Sequence, residues 1–476
     1  MSTGRVVIVG GGISGLAAAW HLRRADPDLD LLVLDGSEAP GGKLRRVRLA
    51  GVDIDVGAEA ILARRPEGTD LVREIGLADR LTKPTTTKAA IWSHGALHPM
   101  PAGTLMGVPA DPAAALGVLD ADEIARAQGE RERPYKPILQ DLSVAAFVGS
   151  RVGSAVTDRL VEPLLGGVYA GRADQLSLRA TMPRLWQAAT AGESITEAAE
   201  RAASLAVLDR TPVFAGLVGG VGALAEELVK NLRGQGVTIT SGTVVRQLRQ
   251  TLSDGRSGWA LTTGPVPAPV GFEADALVIA VPATAAARLL APHAPDAAAE
   301  LAAIRYASMA IVSVALPRRG LPPLSGSGFL VPPVEGRAVK ASTFSTNKWG
   351  WVADAAPDLF ILRASLGRVG EEAVLQRSDA DLVRLVLDDL AEVLGGRLPT
   401  PVDHQVQRWG GALPQYAVGH VERVARVRAA AARLPGLALA GAAYEGIGIP
   451  ACIASGRQAA EDVLTHLRGC QRLRSG

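Results

Sequence analysis

An α/β fold is predicted for this 476-residue chain, with one nucleotide-binding domain assembled from separated stretches. Three observations carry that expectation. A strand, a glycine-rich turn and a helix open the chain. A second strand ending in an acid follows at dinucleotide-fold spacing. A further strand, glycine loop and helix appear more than 400 residues later. Together they read as a discontinuous Rossmann-like domain, with an antiparallel-sheet domain and a helical cap filling the intervals.

The first strand is Arg5-Val6-Val7-Ile8-Val9, and it runs into Gly10-Gly11-Gly12-Ile13-Ser14-Gly15 and then the apolar helix Leu16 to Leu22. Gly10, Gly12 and Gly15 hold the G-x-G-x-x-G spacing. Gly10 permits the tight turn, Gly12 lets the backbone approach a pyrophosphate, and Gly15 lets the helix pack closely on the strand. The helix start then offers free N–H groups and the positive dipole end to the phosphates. The strand Asp28 to Asp35 places Asp35 20 residues after Gly15, where a carboxylate accepts ribose hydroxyls and repels a 2′-phosphate; Gly36 adjoins it.

Gly41-Gly42-Lys43-Leu44-Arg45 comes next, then a hairpin strand from Gly51 that ends in the turn Gly57-Ala58-Glu59-Ala60. A glycine pair soon after the ribose acid lets backbone pass close to a bulky flat ligand, as the isoalloxazine end of FAD requires. The distant half is Leu437-Ala438-Leu439-Ala440 followed by Gly441-Ala442-Ala443-Tyr444-Glu445-Gly446-Ile447-Gly448-Ile449-Pro450. A nicotinamide dehydrogenase needs only the first half, so this second half favours FAD.

Composition excludes several classes. Net charge is +2, so no nucleic acid or other acidic polymer is demanded as partner. The seven His fall in no metal-ligand spacing, and Cys452 and Cys470 form no disulfide framework, which fits a reducing compartment. Cys452 is expected to pack as a small apolar residue and Cys470 to lie in a frayed tail. No leader precedes the first strand and no run of ~20 uncharged apolar residues occurs, so a cytoplasmic protein is expected, with peripheral membrane contact left open.

Periodicity divides the chain into five stretches. Three build the FAD-binding domain: 1–81, 210–290 and 405–476. Between them lie a helical cap with substrate and membrane-facing potential (82–209) and a substrate-binding sheet domain (291–404). Within the cap, Ile91-Trp92 and Ala96 to Pro101 predict a hairpin and Asp120 to Arg133 a helix. Leu142 to Gly171 predicts two helices joined by a turn at Gly166-Gly167, and 184–208 reads as helical. Nucleotide-domain grammar returns from Phe214 to Leu232, with strands at 237–240, 243–248 and 275–281. Alternation over 300–400 predicts antiparallel sheet closing in the helix Asp379 to Leu394.

The nucleotide motif, Gly41 to Arg45, the segment Gly166-Gly167-Val168-Tyr169-Ala170-Gly171, Asp174 to Arg179 and the Gly441 to Gly456 run resemble protoporphyrinogen oxidases of the FAD amine-oxidase superfamily. Gly326 to Arg337 and Lys340 to Trp349 are similar to the Gram-positive branch, whose members oxidise coproporphyrinogen III. The resemblance implies a six-electron oxidation in three rounds, each passing a hydride to FAD and ending with O2 reduced to H2O2. It places FAD contacts on Gly10 to Gly15, Asp35, Gly36, Gly42 to Arg45, Gly57 to Ala60, the Val244 backbone, Ala442 and Ile447-Gly448-Ile449. Gly167, Tyr169 and Leu330 match pocket positions. No catalytic acid–base residue is implied, because the chemistry needs placement in a flat apolar slot.

The substrate carboxylates call for rim cations. Ala89 stands where relatives carry an arginine, which leaves Arg45, Arg64, Arg65, Lys88, Arg172, Lys340 and Lys348 as candidates, with Arg64, Lys88 and Lys340 foremost. Asp35 replaces the family's usual Glu. Protoporphyrinogen IX is the alternative substrate. An amine oxidase is a rival, but no aromatic residue stands in Gly446 to Ile449; carotenoid desaturation and non-catalytic flavin or porphyrin binding are more distant. A haem-pathway enzyme partner and the oligomeric state are left open.

Overall fold

The computed structural model describes residues 4–134, 136–208, 211–253 and 256–475. Its central sheet has five parallel strands in the order Thr238–Thr240, Asp30–Leu34, Arg5–Val9, Ala276–Ile279 and Leu437–Leu439. Val6 pairs with Leu31 on one side and Ala276 on the other. Apart from the edge strand Thr238–Thr240 and the leading Arg5 and Asp30, these strands are continuous Val, Leu, Ile and Ala runs because both faces are covered. On one face pack the helices Ile13–Ala25, Gly222–Gly234 and Ile449–Ser475; on the other pack Ala283–Leu290, Pro295–Ala302 and His420–Ala431. Each large side chain buried there contributes roughly 1.5–3 kcal/mol. The strand order reverses at Arg5–Val9, so the Gly10–Gly15 turn sits at the switch point of the sheet.

A second sheet has seven strands in the order Asp403–Pro414, Tyr306–Pro317, Leu359–Leu366, Val339–Thr343, Gly328–Leu330, Ala90–Ser93 and Ala96–Pro99. All pairings are antiparallel except that of Gly328–Leu330 with Ala90–Ser93. The hairpin from the cap segment thus extends this sheet. Helix Asp379–Val393 covers one face, setting Leu382, Val386 and Leu390 against Val312, Val314 and Leu362. The other face turns to the nucleotide domain: Arg363 Nη2 donates to Gly57 O at 2.8 Å and Trp409 Nε1 to Val56 O at 2.8 Å.

The cap is helical, with Glu130 fully buried at its centre. Its carboxylate accepts from Ser194 Oγ (2.6 Å), Thr196 Oγ1 (2.9 Å) and Arg151 Nη2 (2.8 Å), which ties the helices Val144–Val152 and Ile195–Leu208 together.

Several local expectations are corrected. Gly166-Gly167 is no turn but lies inside helix Glu162–Tyr169. The break falls at Gly153, whose φ of 97° suits glycine, and a π-helical turn Thr157–Val161 follows. Residues 184–208 form two helices, Pro183–Ala191 and Ile195–Leu208, parted at Gly192 with φ 68°. The helix expected to reach Arg133 is Ala121–Gln128. Phe214–Leu217 lies outside the parallel sheet, between Ile61–Leu62 and Leu81–Thr82 in a small antiparallel one. The strand expected over 243–248 begins only at Gln247, because Thr243 N is engaged by Asp35 O at 2.7 Å. Cys470 is in the closing helix, not a frayed tail. Among the described residues no helix is long and apolar enough to cross a membrane.

Candidate active site

The parallel strands end together, so their outgoing loops line one crest. At one end Asp35 receives Gly11 N (2.5 Å) on Oδ2 and Ser37 N (2.7 Å) and Ser37 Oγ on Oδ1. A carboxylate has about four acceptor positions, so one stays open for a ribose hydroxyl. Gly36 adjoins it, and a side chain there would press within 3.0 Å of Val244 Cγ2. Val244 itself is 59% exposed, on the open side of the crest.

The four glycines of the first turn do different work. Gly10 has φ 111°, and a Cβ on it would sit 2.5 Å from Ala280 O; one on Gly11 would meet the Asp35 carboxylate and one on Gly15 would collide with Gly10 O. Those three serve the protein's own packing. A Cβ on Gly12 would meet nothing within 4 Å, and its φ of −71° is open to any residue. Packing therefore does not require glycine at 12, whereas close approach of a phosphate does. Ile13 and Ser14 open the helix behind it.

The second glycine pair closes on the first turn. Gly41 N donates to Gly11 O at 2.7 Å, and a Cβ on Gly42 would lie 3.2 Å from Gly12 Cα. Lys43 O accepts from Ala58 N at 3.1 Å, which fixes the Gly57–Ala60 turn against this segment; a Cβ on Gly57 would strike that carbonyl. Burial of its surroundings lowers the Lys43 pKa although the residue keeps an exposed surface, the signature of a side chain in a cleft. Leu44 packs into the core beneath, and the Arg45 guanidinium lies 5.8 Å from the Trp409 ring.

The C-terminal loop reaches the same cleft. A Cβ on Gly456 would collide with Ser14 O, so the closing helix and the first helix cross at glycine distance with both N-termini pointing one way. Ala442 O accepts from Tyr416 Oη at 2.6 Å, and Tyr444 O from His420 Nε2 at 3.1 Å. The Tyr416 and His420 rings stack at 3.9 Å, and burial pushes the His420 pKa down to about 4, so it is neutral. Ile447 and Gly448 lead into the helix at Ile449. Cys452, in its first turn, is buried, and burial raises its thiol pKa.

Direct contacts thus join the first glycine turn to Asp35, to Gly41-Gly42 and, through Lys43, to Gly57-Ala58, while the closing helix crosses the first at Ser14 and Gly456; the open side of Gly12 leaves room for a phosphate. Sequence reasoning missed what supports them. Asp55 accepts from Val221 N (2.7 Å) and Gly222 N (2.8 Å), so the Gly219-Gly220 turn is capped by protein. Burial raises the Asp55 pKa to about 6. Burial also pushes Glu59 up, but Lys348 and Arg363, with the Trp349 and Ser345 donors, bring it net below the usual range. Only the acids in the Gly51–Glu59 hairpin signalled this in sequence.

The expected substrate residues are only partly gathered. Gly167 faces Leu330, whose Cδ2 lies 3.9 Å from a Cβ built there, and the neighbouring Val168 is exposed. Tyr169 points away into the core, 5.6 Å from Tyr416, with burial raising its pKa to about 12. Lys88 and Arg64 are exposed. Lys340 is not at a rim: it is 2% exposed and donates to Gly367 O at 2.9 Å, and burial beside Arg368 lowers its pKa to about 7. Among the other cations, Lys348 pairs with Glu59 (3.6 Å), Arg65 with Glu67 and Arg172 with Asp174 (3.4 Å).

Comparison with known proteins agrees with this geometry. Residues 13–464 match the family model of flavin containing amine oxidoreductases. Coproporphyrinogen III oxidase of Mycobacterium tuberculosis is 38% identical over 465 residues, covering 97% of each chain. That of Bacillus subtilis is 33% identical over 496 residues, covering 98% of this chain and all of its own. The solved structure of an Exiguobacterium protein, provisionally named a protoporphyrinogen oxidase, superposes with a TM-score of 0.84 at 33% identity, covering 97% of this chain and 99% of its own. The chain belongs to the flavin-containing amine oxidoreductase family, within its coproporphyrinogen and protoporphyrinogen oxidase group.

Proposed function

We propose that this protein is an FAD-dependent oxidase that converts coproporphyrinogen III to coproporphyrin III with O2, releasing H2O2, in haem biosynthesis. The observation that carries it is the near end-to-end match to coproporphyrinogen III oxidases, joined to a cleft whose glycine at 12 serves no packing need of the protein. Bound FAD supplies the two-electron acceptor and passes the electrons to O2. Gly12 and the N-terminus of helix Ile13–Ala25 would hold its pyrophosphate, and Asp35 a ribose hydroxyl. Gly42 to Arg45, Gly57 to Ala60 and Ile447 to Ile449 would enclose its ring.

Leu330 and Gly167 would give the macrocycle an apolar wall without side-chain bulk at 167. Orientation in such a slot is the protein's main contribution to the rate, and no acid–base pair is needed. Lys88, exposed beside the Gly326-Ser327 turn, would be the cation that meets a substrate carboxylate, whereas Lys340 is held inside. Anaerobic mixing of the yellow protein with coproporphyrinogen III should bleach its flavin absorbance, and admitting O2 should restore it. A spectrum that bleaches with primary amines and not with the porphyrinogen would overturn this reading.

A further inference from the structure

Arg363 lies on the strand Leu359–Leu366, on the sheet face turned to the nucleotide domain. It is 8% exposed, and the surrounding residues account for only some of its guanidinium. Nη2 donates to Gly57 O at 2.8 Å, and Nη1 lies 3.1 Å from Glu59 Oε2 without a hydrogen-bonding angle. Nε and Nη1 have no hydrogen-bond acceptor among the described residues. Leaving these N–H groups of a buried guanidinium without acceptors is unfavourable, so an acceptor is called for.

The charges around it narrow what that acceptor is. Glu59 is shared with Lys348 at 3.6 Å, and Asp55 stands nearby at the start of helix Gly222–Gly234. Arg363 and Lys348 face Glu59 and Asp55, and Arg46, which also neighbours Asp55, is itself paired with Glu226, so the cluster holds no surplus of positive charge. A further carboxylate from a substrate would leave excess negative charge in a buried place, which is unfavourable. A neutral carbonyl or imine nitrogen satisfies the N–H groups without that imbalance. The carbonyl that Arg363 already holds belongs to the Gly57–Ala60 turn, the same turn that Lys43 O fixes at the cleft.

We propose that Arg363 is the protein's hydrogen-bond donor to the bound flavin ring, and that its charge, partly offset by Glu59, sets how readily that ring accepts electrons. This rests on the FAD reading above. Fixed donors aimed at developing negative charge in a water-poor site favour the charged state. Removing the guanidinium disfavours reduction, and removing the Glu59 counter-charge favours it.

The test is the reduction equilibrium of FAD-loaded protein against a reference dye under anaerobic conditions. R363M is expected to lower the equilibrium constant for reduction at least tenfold, about 30 mV for two electrons. R363K should recover most of that loss, and E59Q should shift the equilibrium the opposite way. If R363M cannot be loaded with FAD, the opposed shifts of R363K and E59Q from wild type decide the matter. Loaded variants that all equilibrate as the wild type does, or an E59Q shift in the same direction as R363M, would overturn this inference alone. Wild-type protein that cannot be loaded with FAD would overturn the cofactor reading beneath it.

Discussion

Replacing Gly12 by valine separates folding from cofactor binding. The Gly12 backbone is extended at φ −71° and ψ 174°, and a Cβ there meets no atom within 4 Å, so a side chain can start at 12 without a clash in the apoprotein. Loss of glycine freedom in the unfolded chain should even stabilise it by ~0.4–1 kcal/mol, a rise of at most a few degrees in Tm. The branched side chain would instead fill the space a pyrophosphate needs. If it displaces two backbone N–H bonds to charged oxygens, worth ~1.5–3 kcal/mol each, FAD affinity falls by roughly 10²–10⁴. The assay is flavin content from the absorbance of purified protein, with a melt of apoprotein beside it. G12V should emerge colourless with an intact melting transition. A yellow G12V with full FAD content would refute the placement of the pyrophosphate, and an apoprotein that no longer folds would refute the claim that Gly12 is free of packing duty.

Gly456→Ala makes the contrast: its Cβ would collide with Ser14 O where two helices cross, so apoprotein stability and FAD content should fall together, the former by ~1–3 kcal/mol in thermal melts. His420 has its pKa lowered to about 4 by burial, below the ordinary ~6.5, so the unfolded chain takes the proton first. Stability is therefore complete above pH 6.5 and falls by about 3 kcal/mol as pH drops to 4; melts of H420Q across that range should show a flatter dependence. Lys340 is the converse of a rim cation. Its lowered pKa of about 7 means that wild-type stability rises with pH from 7 toward 10, so K340M should gain most at or below pH 7 and leave the substrate KM unchanged. A KM raised tenfold in K340M would return that side chain to the substrate site.

Much of the nucleotide domain is legible in the sequence because its signals are local. The Gly10–Gly15 turn, the acid at 35 and the Gly441–Ile449 loop each carry their meaning within a few residues. What the sequence hides depends on contacts between distant segments. Gly166-Gly167 looks like a turn by composition, yet Leu165 and Tyr169 bury one helix face and leave glycine on the side toward Leu330. Phe214–Leu217 has strand character that cannot say which sheet it joins; its partners are Ile61–Leu62 and Leu81–Thr82. Lys340 reads as a surface cation until burial beside Arg368 is seen. Arg363 and Glu59, 304 residues apart in the chain, share no sequence signal at all.

The most direct measurement is a side-by-side aerobic assay of the FAD-loaded protein with coproporphyrinogen III and protoporphyrinogen IX, following porphyrin fluorescence and H2O2. Coproporphyrin III should form at the higher rate, with about three H2O2 per porphyrin from three two-electron rounds of flavin turnover. Preference for protoporphyrinogen IX would contradict the substrate assignment, and silence with both would contradict the oxidase itself.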